Sequence, residues 1–318
     1  MKICVLGAGA LGCALGGSLA EAGADVWLLC RPGAHADAIR RDGLVIHRGG
    51  SPTTVAVRAA TRAEDIGPVD LVIVLVKSFD TRAAMASAGA LIGPDTVVMS
   101  LQNGLGHEEL LAEAVGRERV LAGKTYVGGV LLGPGRISAG TAGKRTIIGE
   151  LDGRVGARTR AIAAEFERAG LVIEVSDNIL GVMWDKLLVN VATGALTAIT
   201  GLTYGEAYRI PEIERAAIAA VAEAMACARA DGIRLSIAAP QDAWRMAAEG
   251  LPADFRTSML QSLAAGSITE IDFINGAVVR AGERLGLPTP VNATLVAAIK
   301  GIERAMAVAR QTRQETSR

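Results

Sequence analysis

Residues 2–12 read KICVLGAGALG: a short apolar run, three glycines, and the opening of an Ala- and Leu-rich stretch that reaches about Gly23. Gly7, Gly9 and Gly12 have the GxGxxG spacing, and the segments around them supply the strand–turn–helix setting that a dinucleotide fingerprint requires. In that setting Gly7 permits the tight turn, Gly9 lets a pyrophosphate approach the backbone, and Gly12 allows helix and strand to pack closely. The whole turn, Gly7-Ala8-Gly9-Ala10-Leu11-Gly12, then presents its amides and the positive end of a helix dipole to phosphate. The competing reading is a glycine turn of purely structural use.

Further along the chain, the next strand is predicted at Asp25–Cys30, and the residue after it selects the cofactor. An NAD binder places Asp or Glu there, about 20 residues beyond the glycines, to hold the ribose hydroxyls. Here the strand ends Leu28-Leu29-Cys30-Arg31 with no acid. A guanidinium pairs with a 2′-phosphate, so NADPH is expected; an ordinary surface arginine is the alternative. Gly43–Arg58 reads as a hairpin with a Gly-Gly turn. Asp70–Val76, DLVIVLV, is the unbroken apolar run of a strand buried on both faces, and Lys77 follows it at once. A second such strand, Thr96–Leu101, delivers Gln102-Asn103-Gly104 to the same edge. Ligands of doubly wound folds bind beyond the carboxyl ends of the strands. Position therefore makes Lys77 and Asn103 cofactor or substrate candidates, with ordinary loop chemistry as the alternative.

Thr125–Leu132 and Arg136–Gly149 are predicted as strands joined by Gly133-Pro134-Gly135. Arg158–Ala169 reads as a helix and Leu171–Val175 as a last strand. The composition then shifts to Ala-rich helices, and a polar tail after about Arg310 is expected to fray. The expectation is an α/β protein: a Rossmann-type doubly wound sheet over residues 1–176, then an all-α domain over 177–318.

Bulk composition excludes several classes. Lys+Arg and Asp+Glu balance at 33 each and aromatics are only 3%. No electrostatic footprint for nucleic acid or an anionic membrane follows, and little is left for base stacking. Cys4, Cys13, Cys30 and Cys227 show neither CxxC nor Cys/His ligand spacing, so no metal is expected, and reduced thiols suggest a cytoplasmic protein. The glycines cut the N-terminal apolar run too early for a secretion signal. No stretch offers the roughly 20 uninterrupted apolar residues of a membrane span.

Residues 178–200, NILGVMWDKLLVNVATGALTAIT, read as a long apolar helix. Lys186, Asn190 and Gly194 recur every four residues and so share one face. An ammonium among Leu187, Leu188, Val189 and Val191 costs free energy unless something needs it there. Two readings stand: the proton donor of a carbonyl reductase, or a lysine that snorkels to solvent past its own apolar stem. Further on, Ser267 and Glu270 have the spacing of a capping box, which would make that carboxylate purely local. His35, His47 and His107 show no ligand spacing and are assigned no role.

Together these motifs resemble the ketopantoate reductase (2-dehydropantoate 2-reductase) family over nearly the whole chain. The matching segments are KICVLGAGALG, Arg31, VLVKS around Lys77, QNG at 102–104, WDKLLVN at 184–190, LTAI at 196–199, SMLQ at 258–261 and TEIDFINGAVV at 269–279. The resemblance implies NADPH-dependent reduction of a 2-oxo acid to a 2-hydroxy acid, in a cleft between a Rossmann domain and a helical domain. It implies Lys186 as general acid in contact with substrate, and Asn103 and Glu270 against cofactor and reacting groups. Lys77 and Gly128 would touch the cofactor, and Asn190 and Ser258 the substrate. The chain departs from the family at Gly194, where a second asparagine is common, and at Tyr204, which replaces a polar substrate contact. Those departures favour, as an alternative, a reductase of a different branched 2-oxo acid. A sensor that binds NADPH without turnover is the remaining alternative, and a homodimer is left open.

Overall fold

A computed structural model describes residues 1–316. The chain forms two compact units: Met1–Gln102 with Gly106–Ile179, and the loop Asn103–Leu105 with the chain from Leu180 onward. The division thus falls three residues beyond the expected 176/177 boundary, and it assigns the Asn103 loop to the helical unit.

The first unit contains strands β1 (Lys2–Leu6), β2 (Asp25–Leu29), β3 (Leu44–Arg48), β4 (Ser51–Val55), β5 (Arg58–Ala60), β6 (Val69–Val74), β7 (Ile92–Ser100), β8 (Val120–Thr125), β9 (Gly128–Gly133), β10 (Arg136–Gly140), β11 (Arg145–Glu150) and β12 (Val172–Val175). Its helices are α1 (Ala10–Glu21), α2 (Ala34–Asp42), α3 (Thr81–Ser87), α4 (His107–Val115) and α5 (Ala157–Arg168). The main sheet runs β12-β11-β8-β7-β6-β1-β2-β5. From β5 to β8 every neighbouring pair is parallel. The order steps outward in both directions from β1, with β2 on one side and β6 on the other. That reversal is the topological switch point of a doubly wound sheet.

A four-stranded sheet, β4-β3-β10-β9, covers the outer face of α1. Two mid-helix glycines make this sandwich possible. A Cβ on Gly16 would stand 2.7 Å from Leu28 Cδ2 of the main sheet, and one on Gly17 would stand 2.5 Å from Ile46 Cδ1 of the small sheet. Glycine inside a helix costs roughly 1 kcal/mol relative to alanine. Close approach to apolar layers on both sides offsets that, and α1, β1, β2 and β3 share one buried cluster.

Several expected segments differ. The hairpin is β3–β4, turning at Gly49 (φ +59°) and Gly50 (φ +102°). Arg58, however, leaves it to pair with Trp27 in the main sheet. The two strands expected over 125–149 are four, counting β8: β8 and β11 belong to the main sheet, while β9 and β10 cross to the small one. Apolar runs cannot reveal which sheet a strand joins.

The second unit is helical: α6 (Ile179–Thr200), α7 (Tyr204–Ala207), α8 (Pro211–Ala230), α9 (Pro240–Ala248), α10 (Ser258–Ala264), α11 (Asn275–Leu285) and α12 (Pro290–Thr316). The tail expected to fray after Arg310 continues α12 as far as Thr316, and residues 317–318 lie outside the described residues. By length and mean hydropathy (1.4) α6 could cross a membrane, which a count of uninterrupted apolar residues does not register. But the helix is mostly buried within the protein, as a core helix is. It packs with α8 and α11 in one cluster that includes Leu188, Val191, Val221 and Val278.

Candidate active site

In the first unit the glycine turn lies at the carboxyl end of β1. Gly7 has φ +109°, and a Cβ there would come within 2.6 Å of Val76 N. A Cβ on Gly12 would meet the Gly7 carbonyl oxygen at 2.0 Å. Gly9 differs: no atom lies within 4 Å of the position its Cβ would take. It caps α1, and no side chain fills that cap. Two glycines are therefore required by the fold, while the third leaves open space at the unsatisfied amides of a helix N-terminus. A cradle of this form fits a dinucleotide pyrophosphate. Cys13 sits one turn into the helix, where burial pushes its thiol up to about 12, so it brings no negative charge to the turn.

The neighbouring loops are tied to this cradle. Val76, which a Gly7 side chain would strike, precedes Lys77, whose side chain is exposed. The Gln102 side chain donates to the Val76 carbonyl at 2.8 Å, coupling the ends of β6 and β7. Gly128 begins β9, and a Cβ on its neighbour Gly129 would lie 3.1 Å from the carbonyl oxygen of Ala10. Arg31 is exposed two residues past β2. Gly7–Gly12, Lys77 and Gly128 are thus neighbours, and Arg31 stands at the next strand end. Sequence reading named Gln102 within the QNG segment but gave it no task, and it passed over Gly129; packing shows the part of each.

In the helical unit Lys186 and Asn190 are half-buried and Gly194 is buried. Asp185, beside Lys186, faces elsewhere: its carboxylate accepts from Ser236 N at 3.1 Å, Ser236 Oγ at 2.6 Å and Ile237 N at 3.2 Å, which fixes the helix against that segment. The start of α10 docks on the later turns of α6. Thr257 Oγ1 lies 2.8 Å from Thr197 Oγ1, and a Cβ on Gly194 would reach Met259 Cε at 3.6 Å. Ser258, between these two contacts in sequence, is exposed.

Glu270 is half-buried and precedes a 3₁₀ turn, Ile271–Phe273. The local capping-box reading does not hold. Ser267 caps no helix; its backbone N–H bonds back to Ser262 O at 2.8 Å. Glu303 of α12 holds the segment instead, accepting from both Thr269 N and Thr269 Oγ1 at 2.7 Å. The Asn103 loop rests on the same turn: Leu105 N donates to Phe273 O at 2.8 Å. Gly104 (φ +90°) approaches so closely that a Cβ would stand 2.3 Å from that oxygen. Asn103 and Glu270 are thereby carried by two segments in direct contact. Tyr204 is part of the core. It is 6% exposed, its hydroxyl lies 3.1 Å from Thr193 Oγ1, and burial raises its pKa. Among the described residues no group of three or more His, Cys, Asp or Glu side chains forms a metal site.

A doubly wound sheet with an open phosphate turn, followed by a helical unit with a lysine on its central helix, defines a dinucleotide-dependent oxidoreductase. The family profile described as ketopantoate reductase PanE/ApbA matches residues 3–153, and its C-terminal counterpart matches residues 178–303. The chain is 34% identical over 305 residues to the 2-dehydropantoate 2-reductase of Halobacterium salinarum, covering 96% of this chain and 99% of that one. It is similar to the crystal structure of a PanE/ApbA family ketopantoate reductase from Ralstonia eutropha JMP134, with TM-score 0.88 and 36% identity over 96% of this chain and 100% of that one. It is also similar to D-mandelate dehydrogenase in a ternary structure with NADH and anilino(oxo)acetate, with TM-score 0.88 and 26% identity over the same shares. The chain belongs to the ketopantoate reductase family.

Proposed function

We propose that this chain reduces 2-dehydropantoate to pantoate with NADPH. The observation that carries the proposal is Lys186, half-buried midway along a core helix and sharing a face with Asn190 and Gly194. When bound, NADPH supplies the hydride. The residues that would hold it are Gly7, Ala8, Gly9, Ala10, Leu11 and Gly12 at the phosphates, Arg31 at the 2′-phosphate, and Lys77, Asn103, Gly128 and Glu270 elsewhere along its length. Lys186 donates a proton to the ketone oxygen as negative charge grows there, and its own charge stabilises that oxygen. Placement is the main demand on such a donor, and a rigid helix meets it. Glu270 orients the ammonium, and Asn190 and Ser258 bind the substrate. Four buried free thiols suit a reducing compartment, and we place the enzyme in the cytoplasm.

NADPH oxidation in the presence of ketopantoate, repeated with NADH, tests the assignment. Lys186→Ala should lower kcat by 100-fold or more with a normal melting curve, since general acid catalysis contributes about 10²–10⁴. A variant within a few-fold of the parent would remove the general-acid role.

A second reading has its own support. Gly194 places no polar group on the Lys186 face and is backed by the Met259 methyl, while the Tyr204 hydroxyl is engaged with Thr193. With neither residue offering a polar group to substrate, a 2-oxo acid other than ketopantoate is favoured, and the likeness to D-mandelate dehydrogenase points the same way. Comparing kcat/KM for ketopantoate with a panel of 2-oxo acids decides between them. A strong preference for ketopantoate removes the second reading.

A further inference from the structure

Gln102 is the residue at which the chain leaves the first unit for Asn103, and it is held on every side. Its side-chain amide donates to the Val76 carbonyl and to Thr81 Oγ1, both at 2.8 Å. Its amide oxygen accepts from Ser100 Oγ at 3.1 Å. Its backbone carbonyl accepts from Lys124 Nζ at 2.9 Å.

Lys124 is an unusual donor for that last bond. It is only 2% exposed, within β8, whose six residues are all buried. Glu108, in the first turn of α4, is 4% exposed. Burial pushes the Glu108 carboxyl up to about 7, against the pull of the Lys124 ammonium. A buried ammonium is costly to desolvate, and the proton chemistry assigned to Lys186 makes no use of this one.

We propose that Lys124 is a positioning residue: its ammonium fixes the Gln102 carbonyl and, through the Gln102 amide on Val76, sets the spacing of the two strand ends from which Lys77 and Asn103 depart. This rests on the reading that those loops receive the dinucleotide. Polar contacts must be placed within a fraction of an ångström to act, and a charge-assisted hydrogen bond at a chain's exit point supplies that stiffness. The competing account gives Lys124 and Glu108 no task beyond filling the core as two buried ionisable groups.

The two accounts separate in the double variant Glu108→Leu/Lys124→Met. Apolar side chains of similar size commonly replace a buried ion pair without loss of stability, yet they leave the Gln102 carbonyl without the Lys124 bond. Positioning predicts a folded protein melting a few degrees below the parent, because the Gln102 carbonyl is left unmet, with an NADPH dissociation constant raised tenfold or more and kcat/KM reduced with it. A pure core role predicts the same small fall in melting temperature with parent-like NADPH affinity and kcat/KM. Gln102→Met adds no charge and breaks the same connection at Val76, so it should raise the NADPH dissociation constant similarly even if the double variant does not fold. Parent-like NADPH affinity in either folded variant overturns the proposal for Lys124 alone. A parent protein that binds neither NADPH nor NADH overturns the dinucleotide reading, and this proposal with it.

Discussion

Gly9→Ala isolates the phosphate turn from the fold that carries it. Gly9 has φ −73° and ψ −172°, a conformation open to any residue, and no atom stands within 4 Å of the added methyl. The native state therefore meets no clash, and exchanging glycine for alanine at a helix cap costs at most about 1 kcal/mol. For a protein of this size that lowers Tm by no more than about 4 °C. The methyl does, however, occupy the open space above the first amides of α1. If it keeps phosphate oxygens off two of those amides, two hydrogen bonds to a charged group are lost, each about 1.5–3 kcal/mol. The sum, about 3–6 kcal/mol, raises the NADPH dissociation constant by roughly 100-fold to 10,000-fold. Fluorescence titration with NADPH beside a thermal melt reads both quantities. Gly12→Ala is the contrasting control, because its methyl strikes the Gly7 carbonyl and should lower Tm itself. A Gly9→Ala protein that binds NADPH within threefold of the parent would refute the argument that phosphate lies against this turn.

Arg31→Ala should weaken NADPH binding about tenfold, the worth of one partly solvated charge-assisted contact, and leave NADH binding unchanged; equal losses for both cofactors would reassign Arg31 to the surface. Stability should also depend on pH through Glu108. Its folded carboxyl keeps its proton up to about 7, against an ordinary value of 4.5. Between those values the native state binds more protons than the unfolded chain, so stability falls as pH rises from about 4.5 through 7. Urea midpoints of the parent and Glu108→Gln at pH 5 and pH 8 should show the variant gaining on the parent at the higher pH, and a constant difference would contradict the assigned cause.

The first half of the fold was legible because its signals are local. A GxGxxG directly after a strand and apolar runs such as DLVIVLV each carry their meaning within a dozen residues. The Lys186 helix was equally plain, since a period of four places Lys186, Asn190 and Gly194 on one face whatever surrounds them. Contacts across long stretches of chain were not legible. Whether Glu270 served a local cap depended on Glu303 reaching Thr269 from a helix that begins twenty residues later. That β9 and β10 would leave the main sheet depended on the second face that Gly17 allows α1 to bury. Lys124 fell one residue short of the strand expected from Thr125 and was assigned nothing, and only packing revealed an ammonium sealed against the Gln102 carbonyl. Sequence by itself determined the periodicities, the glycine turn and the residue types available for chemistry, because short-range sterics and hydrophobic spacing act between near neighbours. Tertiary structure alone decided which strand ends are tied together and which polar groups are taken out of water, because both depend on what the rest of the chain places against them.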